Sequence, residues 1–196
     1  MHNTGFFVGT ITALVGEAAR EKALSTMRLE MDVCSGQDIP FFPQLGIRQN
    51  AVNIKMVLSR DDANWFWELL RITGLRRPGW TLPFRKDKPG TIRLWELVLG
   101  LIHRPPSILV INPLEGMDSN DREHFSNLLQ FCREKGISVF YTESKLKEAM
   151  ALGISQRVLF AQVDSWHEIN TEQIERDALI AQKCPNWNKI QQGLEG

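Results

Sequence analysis

Apolar and polar residues alternate between two periods along this chain. GTITALVG, Gly9 to Gly16, is a β-branched apolar run closed by glycine, and it predicts a buried strand entering a turn. AAREKALSTMRL, Ala18 to Leu29, consists of strong helix formers without Gly or Pro, so a helix follows the turn. Met31 to Gln37 reads as a short second strand, and the proline-rich IPFFPQLG ends it as a loop. Two helices are expected next, Ile47 to Leu58 and Asp61 to Thr73, with Ser59, Asp61 and Asp62 supplying the cap between them. RRPGWTLPFRKDKPG carries three prolines and two glycines and predicts an irregular surface loop; its charge run Arg85 to Lys88 reads as solvated.

Leu94 to Ile102 predicts an apolar helix stopped by Pro105 and Pro106. SILVIN is then a continuous apolar run, the pattern of a strand buried on both faces in a parallel sheet. Ser119 is placed to cap a helix running through Asp121 to Lys135, and Gly136 to close it. A strand at Ile137 to Tyr141, a short helix at Lys145 to Leu152 and a last strand at Arg157 to Val163 complete the pattern. The polar stretch from Asn170 to Gly196 reads as a helical tail that frays. The order implies an α/β fold with a mainly parallel sheet and a helical insert over about 45–92.

Composition narrows this picture only slightly. The chain has 196 residues, 43% of them apolar and 23% charged, which suits one globular core. Lys plus Arg and Asp plus Glu stand at 23 each, so no global field draws the chain to nucleic acid or to an acidic membrane. The three cysteines, Cys34, Cys132 and Cys184, lack paired short spacing, and a reducing cytoplasm is the expected home. His2, His103, His124 and His167 show no metal-ligand spacing either. No basic segment precedes the first apolar stretch, so a signal peptide is not expected, and no uninterrupted apolar run approaches the ~20 residues needed to cross a bilayer.

Four strings, in order, resemble passages of ABC transporter ATP-binding subunits. TITALVG is similar to the strand that feeds the Walker A loop. QDIPFFPQLGIRQN resembles the stretch beginning at the Q-loop glutamine, placing Gln37 there. LIHRPPSILVINPLEGMD is similar to the passage holding Walker B and the D-loop, and ISVFYTES to the strand ending at the switch histidine. The resemblance spans roughly Gly9 to Val163. It implies a P-loop NTPase (RecA-like) core over 1–169 with a small helical subdomain and the tail 170–196 outside it. The short passage from Lys22 to Gln37, with no strands expected before Gly9, implies that the antiparallel subdomain of the family is reduced or absent.

Set against that family, the chemical groups are replaced together. An active phosphate loop uses glycines so that successive N–H groups curl round the phosphates, with a lysine and a hydroxyl beside them. GEAAREKAL keeps Gly16 and Lys22, but Ala19 and Glu21 stand at glycine positions and Ala23 and Leu24 replace the Ser/Thr pair. A Glu21 carboxylate about 4 Å from a phosphate would cost about 4 kcal/mol at a surface-like dielectric. Ile111 and Asn112 stand where an Asp holds the metal and a Glu serves as general base, and losing the base alone removes about 10²–10⁴-fold in rate. DKPGT, Asp87 to Thr91, keeps only Gly90 of the signature loop, and Glu143 replaces the switch histidine.

The resemblance therefore implies a non-catalytic ABC-type subunit with a structural or regulatory role. A residual nucleotide site would comprise Gly16, Lys22, Ser25, Thr26 and Gln37, with ATP as the one candidate ligand. Lys22 reads more simply as a solvated helix lysine, and Ser25 and Thr26 as ordinary residues of a helix's first turns. The surfaces kept are those that face a permease or a second cassette: Gln37, the insert carrying Trp65 and Trp67, and the D-loop with Glu115, Gly116 and Asp118. Trp65 and Trp67 alternate in sequence, so one helix face cannot bury both. Two alternatives stand beside this: a subunit that binds ATP without turnover, and a free-standing module that dimerises. Membrane contact is expected only through a partner, at the inner face.

Overall fold

The computed structural model describes residues 8–16, 18–27, 32–34, 42, 44–76, 88–153, 155–161 and 166–169. Along the chain they form β1 (Ile11–Val15), α1 (Ala19–Met27), β2 (Asp32–Cys34), α2 (Ile47–Lys55), α3 (Arg60–Ile72) and α4 (Pro89–Gly100). There follow β3 (Ser107–Ile111), α5 (Ser119–Glu134), β4 (Ser138–Glu143), α6 (Leu146–Ala151), β5 (Arg157–Ala161) and β6 (Trp166–Ile169). The strands make one sheet in the order β2-β3-β4-β1-β5-β6, parallel throughout except for the β5/β6 pair. The mainly parallel α/β sheet expected from the apolar runs is thus present.

Strand pleating divides the core into two layers. Ile11, Ala13 and Val15 of β1, Ile108 and Val110 of β3, and Val139 and Tyr141 of β4 face a large cluster built with α2 to α6. Leu14, Leu109, Ile111 and Phe140 point to the opposite face, which α1 covers with Ala19, Ala23 and Met27. Alternate residues sit on opposite faces because the side-chain period of a strand is two. The connection leaving β1 therefore crosses one face, while α6, leaving the neighbouring β4, crosses the other. Adjacent strands whose connections diverge in this way open a crevice at their carboxyl ends.

Several boundaries differ from the sequence expectation. Helix α4 begins at Pro89 rather than Leu94, so the supposed loop residues Pro89, Gly90 and Thr91 form its first turn; proline at the first helical position has no amide to lose. Asp118, not Ser119, caps α5, its Oδ1 accepting the Asp121 N–H at 2.9 Å. Gly136, in the left-handed region at φ 75, ends that helix as expected. Strand β4 runs on to Glu143, two residues beyond Tyr141. Arg157–Ala161 is not the last strand, because β6 folds back antiparallel on it. The Ser59 cap is present, accepting from Asp62 N at 3.1 Å. The tail 170–196 lies outside the described residues.

Candidate functional site at the carboxyl end of the sheet

Strands β1, β4 and β3 lie side by side, so their carboxyl ends bring Gly16, Glu143 and Asn112 to one place. Val15 is in register with Glu143, and the Gly16 N–H donates to the Glu143 carbonyl at 3.0 Å. Beyond Gly16, α1 opens only three residues later, at Ala19. The Ala19 N–H donates to the Gly16 carbonyl and the Lys22 N–H to the Ala18 carbonyl, both at 3.0 Å. The replacements explain this: alanine, arginine, glutamate and leucine are strong helix formers where glycines would keep the loop open. Glu21 sits in the first turn, where a carboxylate complements the helix dipole. Helix thus occupies the stretch that resembles a phosphate loop in sequence, from Ala19 onward.

Side chains along α1 point elsewhere. Lys22 Nζ lies 5.4 Å from the centre of the Trp166 indole on β6, a cation–π contact. The Ser25 and Thr26 hydroxyls donate back to the Lys22 carbonyl at 2.9 and 2.7 Å, the ordinary local bond of such residues in a helix. Gln37 lies outside the described residues.

At the end of β3, Ile111 is buried against α1 together with Leu14, Ala23 and Phe140. Its side chain has no ligand atom for a cation. Asn112 takes the left-handed conformation at φ 44, which asparagine tolerates better than most residues. Buried Thr142 clamps it from both sides: Thr142 Oγ1 accepts the Asn112 N–H at 3.0 Å and donates to Asn112 Oδ1 at 2.9 Å. The amide is therefore turned back onto the sheet. Nothing in the sequence signalled Thr142, because the pair forms only when β3 and β4 are laid in register.

Glu143 is 4% exposed, and its Oε1 accepts the Leu114 N–H at 3.2 Å. Burial pushes its carboxyl up to about 7; the facing Glu148 carboxyl adds to this, while the Leu114 N–H and the Arg122 guanidinium oppose it. A cavity of about 410 Å³ opens here, lined by Asn112, Glu115, Arg122, Glu143, Ser144 and Glu148 among others. Three carboxyls against one guanidinium make it a poor seat for a polyphosphate. Among the described residues no group of three or more His, Cys, Asp or Glu could hold a metal ion.

Glu115 and Gly116 line this cavity. Glu115 and Gly116 are exposed, and Asp118 Oδ2 pairs with Lys88 Nζ at 2.7 Å. The hydrogen bond from Lys88, followed by that from the Asp121 amide, holds the Asp118 carboxyl below its ordinary value. Lys88 is solvated as expected, its side chain 71% exposed, while its bond to Asp118 bridges the start of α4 and the start of α5. Gly90 is buried there, and a Cβ built on it would lie 2.2 Å from Asp121 Oδ2.

The tryptophans of the insert lie away from this edge. Trp65 is buried, donating from Nε1 to the Leu101 carbonyl at 2.7 Å and stacking on Phe131 at 5.0 Å. Together with Arg104 and Lys135 it lines a second hollow beside the turns that enter β3 and β4. Trp67 is half-buried between Lys55 and Arg76. The exposed apolar side chains here are others: Val52 on α2 at 39%, Met56 and Val57 just after it at 79% and 82%, and Phe42 at 54%, tied to Asn50 by paired hydrogen bonds. Sequence reasoning passed them over, since a helix's outer face emerges only when its inner one is packed.

No known family profile matches the sequence, and no curated protein does. Solved structures do. A dimeric bacterial ABC transporter cassette superposes with a TM-score of 0.60 at 15% identity, over 83% of this chain and 87% of that one. The ADP conformation of an ATP-binding cassette of an ABC transporter gives 0.66 at 12% identity, over 92% and 88%. An inward-facing metal-chelate type ABC transporter gives 0.62 at 14% identity, over 85% and 74%. The chain thus shares the fold of these ATP-binding cassettes.

Proposed function

We propose that this chain is a non-catalytic ABC-cassette-like subunit, which contributes structure or regulation to a transporter permease or to a second cassette. One observation carries the reading: the Lys22 N–H is spent inside α1, on the Ala18 carbonyl. Phosphate loops bind because consecutive amides converge on the anion, and here the Ala19 and Lys22 amides are already bonded to the Gly16 and Ala18 carbonyls. Ile111 buried in the α1 layer, Asn112 clamped by Thr142 and an acidic cavity beside Glu143 support the same conclusion. Mg–ATP does not fit these residues. Gly16, Lys22, Ser25, Thr26 and Gln37 are accordingly read as remnants of a nucleotide site rather than a working one.

Contact surface is what remains. Glu115 and Gly116 line the site and, like Asp118, are exposed, and the outward Met56 and Val57 leave an apolar patch just past the end of α2 that suits an apolar partner. Among the described residues no helix is long and apolar enough to cross a membrane, so in this reading the chain reaches one through its partner, on the cytoplasmic side.

The test is phosphate release and thermal shift of the purified chain with millimolar Mg–ATP. No turnover and no shift are expected, since a ligand that binds only the native state raises stability by RT ln(1 + [L]/Kd). Magnesium-dependent turnover that disappears in Lys22→Ala would overturn the proposal. A shift without turnover would favour an ATP-binding, non-hydrolysing subunit, and purification from native membranes without a permease or second cassette would favour a self-associating module.

A further inference from the structure

Two turns that enter neighbouring strands meet at one hollow. Arg104 lies between α4 and the Pro105–Pro106 pair that leads into β3; Lys135 closes α5 ahead of Gly136, Ile137 and β4. The hollow they line together with Trp65 measures about 350 Å³ and sits at the amino ends of β3 and β4, the opposite end of the sheet from the candidate site. That volume is at the lower end of the sizes that hold small molecules. Arg104 stands in the left-handed region at φ 52, its N–H donating to the Leu101 carbonyl at 3.1 Å. Glycine or asparagine adopts this conformation with less strain, so what the position gains from arginine is its side chain.

That side chain sets a cation against an aromatic pair. The Arg104 guanidinium carbon is 5.3 Å from the centre of the Trp65 ring, Trp65 stacks on Phe131 at 5.0 Å, and Lys135 Nζ is 5.4 Å from the Phe131 centre. Neither charge is neutralised at close range. Arg104 donates to the Asp61 carbonyl at 3.0 Å and stands 3.8 Å from the Asp62 carboxylate; among the described residues Lys135 has no carboxylate within 4 Å. Glu68, which feels the Lys135 charge, is bonded to Arg71 at 2.8 Å. The rest of the wall is Pro105, Pro106, Gly136 and Ile137. The Gly136 and Ile137 amides donate to the Arg133 and Cys132 carbonyls at 3.0 and 2.9 Å, which leaves the two cationic side chains to meet a ligand's charge.

We propose that this hollow binds a small organic carboxylate carried on a flat apolar body. The planar fork of Arg104 matches the two carboxylate oxygens, Lys135 adds a point charge, and Trp65, Pro105 and Pro106 receive the apolar part. A neutral ligand leaves both cations unused, and a bare inorganic anion leaves the apolar wall in water. Binding here braces the entries to β3 and β4 without touching Lys22 or Asn112, so its failure and that of the proposed function are separate results.

Titration of the full chain with benzoate, followed by the Trp65 indole N–H and the Gly136 amide in ¹H–¹⁵N spectra, tests this directly. Both signals should shift saturably at millimolar benzoate. Benzamide has the same shape without the charge, and inorganic phosphate the charge without the ring. Each should bind about tenfold more weakly or worse, since a charge-assisted hydrogen bond or a buried ring is worth at least that factor. Lys135→Gln, at an exposed position, and Arg104→Asn, which tolerates the left-handed backbone, should weaken benzoate by a similar factor. Lys55→Gln, on α2 beside Trp67, should leave it unchanged. A dispersed spectrum of each free variant shows that it folds, and Lys135→Gln decides the matter should Arg104→Asn fail to. No saturation by benzoate, equal binding of benzamide or of phosphate, or full affinity in Lys135→Gln would each overturn the assignment.

Discussion

Replacing Gly90 with alanine sets two effects of opposite sign against each other. Within a helix, Gly→Ala gains about 1 kcal/mol because glycine loses more backbone freedom on ordering. Against this, the new methyl would stand 2.2 Å from Asp121 Oδ2, 2.9 Å from Asp121 Cγ and 3.0 Å from Met117 Cα. The first contact is roughly 1 Å short of van der Waals distance, and the third is to backbone, which cannot rotate away. Asp121 is only 2% exposed, so its carboxylate has no solvent to swing into. Overpacking of this kind costs about 1–3 kcal/mol, and moving a buried charge from its place adds to it. The clash wins, with a net loss of about 2 kcal/mol. For a chain of this size that lowers Tm by roughly 4–8 °C, readable by calorimetry or by the urea midpoint. Removing the obstacle in Gly90→Ala/Asp121→Ala should make the double variant more stable than the sum of the two single losses by at least about 0.5 kcal/mol. A Gly90→Ala protein as stable as its parent, or simple additivity with Asp121→Ala, would mean that the start of α4 is not seated on α5 as described.

Trp65→Ala should cost about 3–5 kcal/mol in urea unfolding, because it removes a buried ring and its hydrogen bond to the Leu101 carbonyl; Trp67→Ala should cost visibly less, and equal losses would refute the contrast in burial. Stability should fall as pH rises: Glu143 holds its proton up to about 7 in the folded chain and releases it near 4.5 when unfolded. The native state is therefore favoured by about 3 kcal/mol below that window, and the advantage is lost as pH passes through 7. Glu143→Gln should flatten this slope, and a wild-type profile already flat between pH 5 and 8 would contradict it. Met56→Asp and Val57→Asp, at exposed positions, should each change stability by no more than about 0.5 kcal/mol while reducing recovery of a partner from native membranes. A loss of folding instead would show that these side chains are buried in the chain itself.

Much of the architecture was legible along the chain because strands buried on both faces must be apolar throughout. GTITALVG, SILVIN and ISVFYTE declared β1, β3 and β4 in this way, and Ser59 and Gly136 marked helix ends by their own local chemistry. Ile111 and Asn112 were equally plain, since residue type alone says that an isoleucine cannot ligate a cation and an amide cannot serve as a general base. What sequence could not supply was anything needing two distant segments in one place. Pro89 looked like part of a loop until its helix was seen resting on α5. Strand β6 was missed because WHEI carries no strong pattern and exists as a strand only by pairing with β5. Thr142 clamping Asn112, Glu148 facing Glu143, and Lys22 turned to Trp166 all join residues brought together by sheet register or by a helix laid across the sheet. Local sequence sets which groups are on offer and which backbone each prefers; long-range packing alone decides which of them meet, and at what charge.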